Sequence, residues 1–220
     1  MVIEKHKTVI IMRAVSGAGK TTIVRCIVKA LENQDITVNV HSTDDYFVVN
    51  GRYCFEIDKL PEYHKQNLEG FISSMDNEID VVICDNTNLL PWQSEPYTDA
   101  ARESGYQIIF INFLPRSLEE HVKAQKPTPE KPDAHNLSEE LLIRFIDDFN
   151  TYNDLLSGNN EINPDKHFSY FWDTEKNERK RTDSPIKNFD ADMVIDVSPD
   201  GFHHAQQTIV ETLINCIVKG

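Results

Sequence analysis

The 220-residue chain is short of cations, with 22 Lys and Arg against 36 Asp and Glu, for a net charge of −14. That deficit excludes a broad basic surface and the non-specific grip on a nucleic-acid backbone that such a surface gives. A small basic site on an acidic body stays compatible with it. Cysteine is scarce: Cys26, Cys54, Cys84 and Cys216 lie far apart with no C-x-x-C pair. That spacing excludes the common thiolate metal sites and points to reduced thiols in or near a core. Apolar runs are short, and none approaches the ~20 residues of a membrane-spanning helix. The N-terminal apolar stretch, TVIIM, is too brief for a signal-peptide core. A cytoplasmic protein with no membrane contact is expected. Internal repeats are absent, and no segment has the size of a second domain.

What is present suits one domain over 1–220 with a buried core. The composition is 40% hydrophobic and 26% charged, which excludes a wholly disordered chain. Five short Val- and Ile-rich runs read as strands: residues 8–13, 37–41, 80–84, 107–113 and 191–197. They are continuous rather than alternating, as strands buried on both faces are. Helical patterns lie between them at 20–33, 60–78, 91–104 and 138–156, and a last one covers 203–218. Ile23, Ile27 and Leu31 mark the buried stripe of the first. Pro91 suits a first turn, and Ser138 an N-cap. Alternating strands and helices predict an α/β fold with right-handed crossovers. Two segments interrupt the repeat. Residues 126–136 carry three prolines and read as a loop or lid. Residues 157–190 form an insertion that could hold a short hairpin, with Tyr170, Phe171 and Trp172 followed by the basic run 176–181.

The first chemical motif is Ala14-Val15-Ser16-Gly17-Ala18-Gly19-Lys20-Thr21, between the first strand and the first helix. It matches G-x-x-x-x-G-K-[ST], with Ala14 in the first glycine position. Gly17 and Gly19 allow the backbone to curl so that successive N–H groups face phosphate oxygens, and the helix N-terminus adds partial positive charge. Lys20 can reach the β- and γ-phosphates, and the Thr21 hydroxyl can ligate Mg²⁺. Residues Ser16, Gly17, Ala18, Gly19, Lys20, Thr21 and Thr22 are therefore the candidate ATP contacts.

Carboxylates follow at the ends of the next two strands. Ser42-Thr43-Asp44-Asp45-Tyr46-Phe47 places a candidate base, Asp44, where a chain end faces the phosphate loop. Asp45 is expected to point away from Asp44, toward a helix cap. Asp85 closes the apolar strand 80–84 in the manner of a Mg²⁺-holding aspartate, with Asn86, Thr87 and Asn88 behind it. The guanine-reading tetrapeptide N-K-x-D does not occur, which disfavours a GTPase.

This motif set, over roughly residues 8–155, resembles the polynucleotide-kinase-like group of P-loop kinases, which includes phage 5′-hydroxyl kinases and phage kinases of hydroxymethylated DNA bases. The resemblance implies a three-layer fold with a five-stranded parallel sheet in the order 2-3-1-4-5 and a helical or looped lid over about 115–140. It implies ATP with Mg²⁺, Asp44 as general base, and a helix arginine, here Arg144, at the migrating phosphoryl group. Asp45, Tyr46, Asn86, Thr87 and Asn88 become candidates for acceptor binding. The chain departs from the group in having Phe47 where an arginine follows D-D-Y, and in a lid short of arginine. Lid charge then falls to Arg116, Lys123 or Lys126, besides Arg144. The acceptor implied is a hydroxyl of nucleic acid, at a 5′ end or on a modified base. The alternatives are a small molecule, nucleoside or nucleotide sugar, or a non-catalytic ATP-binding module.

Overall fold

A computed structural model describes residues 5–128, 135–156, 161–173, 175–176, 178–199 and 202–219, with 202–205 and 219 as backbone only. The centre of the proline-rich stretch, the start of the insertion at 157–160 and Asn177 of the basic run lie outside the described residues. The elements run β1 (Thr8–Ala14), α1 (Lys20–Glu32), β2 (Val38–His41), β3 (Val48–Val49), β4 (Arg52–Tyr53), α2 (Leu60–Asp76) and β5 (Val81–Cys84). They continue with α3 (Pro91–Glu103), β6 (Gln107–Phe113), α4 (Leu118–Ala124), α5 (Glu139–Leu156), β7 (Ser169–Asp173), β8 (Glu178–Thr182), β9 (Met193–Val197) and α6 (Phe202–Lys219).

Five strands build one parallel sheet in the order β2-β5-β1-β6-β9. Counted along the chain, these are its second, third, first, fourth and fifth strands. Alternate residues of β1 serve opposite faces, as the pleat requires. Val9 and Ile11 join Phe71 of α2, Tyr97 of α3 and Phe149 of α5 on one side. Ile10 and Met12 join Ile23 and Ile27 of α1 and Leu213 of α6 on the other. All seven residues of β1 are buried, which explains the unbroken apolar run in the sequence.

The exception on β1 is Arg13, fully buried in a strand. Its five N–H groups all find acceptors: Leu89 O twice, Asn112 Oδ1, Asn153 Oδ1 and Phe149 O, at 2.9 to 3.3 Å. The guanidinium also lies 3.9 Å from the centre of the Phe149 ring. It fastens the sheet to α5.

Among the small elements, the two at 43–53 were not anticipated, while α4 lies within 115–140, where a helical or looped lid was expected. Residues Thr43–Phe47 form a 3₁₀ turn. Strands β3 and β4 form a hairpin. Helix α4 starts at a capping box in which Ser117 Oγ accepts from Glu120 N–H and Glu120 accepts from Ser117 N–H. In the insertion, β7 and β8 do form an antiparallel hairpin. The thiols are free but not uniformly internal: Cys84 is buried, while Cys54 is exposed at the end of the β3–β4 hairpin. None of the described helices is long and apolar enough to cross a membrane.

Candidate active site

The phosphate loop takes its shape from two glycines with positive φ, Gly17 at 84° and Gly19 at 98°. L-residues with a Cβ avoid that region. Gly17 is also hemmed in: a Cβ there would stand 3.0 Å from Gln125 Nε2 and 3.1 Å from Ala124 Cβ. Helix α4 therefore lies directly over the loop. A buried histidine makes the join. His121 Nε2 accepts from Arg116 N–H at 3.1 Å, so its Nδ1 carries the proton and donates to Ser16 O at 2.9 Å. Burial holds this imidazole below its ordinary pKa, so it stays neutral. Arg116 comes close as well, with Nη2 3.5 Å from Ala18 O.

The ends of β2 and β5 are tied together beside the loop. Thr43 N–H donates to Asn86 Oδ1 at 3.0 Å, and Asp85 N–H donates to His41 O at 2.9 Å. Behind them, Tyr97 Oη receives both Asn67 and Asn86 amide groups. A cleft of about 740 Å³ opens in front. Lys20, Thr21, Asp44, Asp45 and Asp85 all line it, which brings together one cation, one hydroxyl and three carboxylates from three separate stretches of chain.

The three carboxylates differ in environment. Asp44 is exposed; Tyr53 Oη donates to its Oδ1 at 3.1 Å, and His135 Nε2 lies 3.8 Å from its Oδ2. Tyr53 and His135 stack with centroids 4.3 Å apart. Asp45 shares the cleft instead of turning toward a cap, which corrects the expectation from sequence. The chain at 43–47 is 3₁₀, so neighbours are about 120° apart around the axis rather than opposed as in a strand. Partial burial and the Asp44 charge hold Asp45 above the ordinary carboxylate range. Asp85 is only 8% exposed. Burial, the largest cause, pushes it up to about 6 against the pull of Lys20. Its Oδ1 has no hydrogen-bond partner, although it is buried.

That orphaned oxygen beside Lys20 and Thr21 fits a divalent cation. Among the described residues no group of three or more His, Cys, Asp or Glu side chains converges on a point. A cation here would be held by Asp85, the Thr21 hydroxyl and phosphate oxygens of a bound nucleotide, as Mg²⁺ commonly is.

Other candidates are placed elsewhere. Tyr46 stacks on Tyr63 of α2, with ring centroids 5.6 Å apart. Asn86, Thr87 and Asn88 are engaged in the scaffold: Thr87 O accepts from Ala14 N–H, and Asn88, 2% exposed, donates to Met12 O. Arg144, Lys123 and Lys126 are exposed and do not line the cleft. In the basic run, Arg179 is held by Asp148 at 2.7 Å and Lys180 by Asp173. Sequence reading missed Tyr53, His135 and His121. Only His121 left a trace, sitting one residue after the S-x-x-E capping box.

Known proteins agree with this picture at the level of fold. No protein-family model matches the chain. A kinase-like structure from Chloroflexus aurantiacus, described as a putative kinase, superposes with a TM-score of 0.54 at 11% identity, over 97% of this chain and 100% of that one. Shikimate kinase from Acinetobacter baumannii gives 0.51 at 11% identity, over 97% and 96%. The chain thus has the α/β fold of the P-loop kinases. By sequence it is 27% identical over 143 residues to human NEDD4-binding protein 2, across 65% of this chain. The match spans 8% of that much longer relative.

Proposed function

We propose that the chain is an ATP-dependent phosphotransferase acting on an alcohol acceptor, with a small molecule, nucleoside or nucleotide as the substrate class. The observation that carries this reading is the convergence of Lys20, Asp44 and Asp85 in one cleft against a glycine-shaped phosphate loop. In the transfer, the acceptor oxygen bonds to the γ-phosphorus as the bond to the β-phosphate oxygen breaks and ADP leaves. The acceptor proton passes to Asp44, whose carboxylate is exposed in the cleft and able to meet an incoming hydroxyl. Lys20 and the loop N–H groups hold the charge of the β- and γ-phosphates. Mg²⁺, held by Asp85 and Thr21, would supply further neutralisation of phosphate charge. Arg116, beside the loop at Ala18, is the lid cation best placed to help; Arg144, Lys123 and Lys126 would need α4 and α5 to move.

A nucleic-acid acceptor is the second reading. The D-D-Y and D-N-T-N elements favour it. The pairing of Arg179 and Lys180 with carboxylates weakens it, because those charges are already neutralised. Incubation with γ-labelled ATP and a panel of nucleosides, nucleotides, sugars and 5′-hydroxyl DNA and RNA tests both, with Lys20→Ala as control. Label on any acceptor that is lost in the control supports the enzyme. Slow ATP consumption unaffected by every acceptor supports a binding module instead.

A further inference from the structure

The cleft does not stop at the catalytic groups. It continues along the outer face of α1, where Arg25 and Lys29 line one wall, and Val40 and Val48 the other. Arg25 and Lys29 are one helical turn apart, so they share a face and sit roughly 6 Å apart along the axis. Both are exposed, and among the described residues neither has an ion-pair partner. Elsewhere on this acidic chain Lys5, Arg102, Lys166 and Arg179 each hold a carboxylate, so these two charges are left available to a ligand that enters the cleft. Opposite them, Val40 and Val48 are 37% and 49% exposed, an apolar surface within the cleft. Glu32 closes the far end with the opposite charge.

We propose that this extension is the acceptor's second subsite, and that it takes a phosphate borne by the acceptor itself. The reacting hydroxyl lies at Asp44, the apolar body rests on Val40 and Val48, and the distal phosphate meets Arg25 and Lys29. Two cations followed by Glu32 limit the track to one or two phosphates, which fits a nucleotide or the first nucleotides of a strand and excludes a long polyanion. The inference rests on the phosphotransferase reading for its direction, but binding alone tests it. The probes are adenosine, adenosine 3′-monophosphate and a 5′-hydroxyl tetranucleotide. Each is titrated by calorimetry with the phosphate loop filled by a non-hydrolysable ATP analogue and Mg²⁺. The two phosphorylated probes should bind at least about tenfold more tightly than adenosine, the ratio one good charge contact gives. In Arg25→Ala/Lys29→Ala that advantage should vanish, with affinity for the ATP analogue unchanged. A tetranucleotide that outbinds the monophosphate identifies a strand end as the source; equal affinities identify a nucleotide. The proposal is overturned if phosphate confers no advantage, or if the double variant keeps it. Failure of the ATP analogue to bind would instead contradict the phosphotransferase reading, while the probe comparison would still report on the track.

Discussion

Replacing Asp85 with Asn should stabilise the metal-free protein while crippling its chemistry. Asp85 is a buried carboxylate with an unpartnered oxygen, raised from an ordinary 3.8 to about 6, mainly by burial. A rise of that size means the ionised form is disfavoured in the fold by about 3 kcal/mol. The folded state holds this proton more tightly than the unfolded chain does. The cost is therefore absent below pH 3.8, grows through pH 6 and is complete at pH 8. Asn carries no charge and avoids the cost. It also gives up the attraction of Lys20 and must place its own amide N–H groups, so a gain of roughly 1–3 kcal/mol is expected at pH 8. For a chain of this size that is a rise in Tm of about 2–10 °C. Urea denaturation in chelator at pH 8 and at pH 4 measures it, and the gain should disappear at pH 4. Addition of Mg²⁺ and ATP should then reverse the order, stabilising the parent more than the variant by mass action. An Asp85→Asn protein that is less stable than the parent at pH 8 in chelator, or equally stabilised by Mg²⁺ and ATP, would refute the reasoning.

Three further outcomes are expected. Gly17→Ala should lower Tm by several degrees and weaken ATP binding, since φ of 84° disfavours a Cβ by about 1–2 kcal/mol and Gln125 and Ala124 already fill the space; differential scanning calorimetry with ATP titration measures both. Arg13→Lys should cost about 3–5 kcal/mol, because an ammonium cannot serve Leu89, Asn112, Phe149 and Asn153 together; a loss below 1 kcal/mol in urea would show that the network is dispensable. His41, His64 and His121 all have pKa values lowered by burial, so the unfolded chain binds their protons first, and stability present above pH 6.5 should fall as pH drops below it. Glutamine at His64 and His121 should flatten that slope.

The sheet and its covering helices were legible because their signals are local. Each core strand is a run of β-branched residues, and Pro91 and Ser138 mark helix starts, with Ser138 Oγ accepting from Leu141 N–H. The phosphate loop was legible because a short string dictates its own backbone. Chain geometry between elements was not. Tyr53 and His135 reach Asp44 only because a two-residue hairpin and the return from the proline-rich stretch converge there, 9 and 91 residues away in sequence. Nothing local marks the burial of Arg13 at the end of the run 8–13, since its acceptors lie 76 to 140 residues downstream. The orientation of Asp45 depended on whether 43–47 was extended or 3₁₀, a choice made by tertiary contacts with α2 rather than by those five residues.

Asp44 is the proposed proton acceptor in the transfer reaction, and its carboxylate oxygen is the group to remove. Asp44→Asn preserves shape and the hydrogen bond from Tyr53 but removes the basic oxygen. The direct measurement is single-turnover transfer from γ-labelled ATP, alongside ATP binding, for Asp44→Asn, Asp45→Asn and the parent, with whichever acceptor the panel identifies. ATP affinity should be unchanged in Asp44→Asn, and transfer should fall by roughly 10²–10⁴-fold, the span lost with a general base. Transfer at the parental rate in Asp44→Asn, with Asp45→Asn inactive, would contradict the assignment.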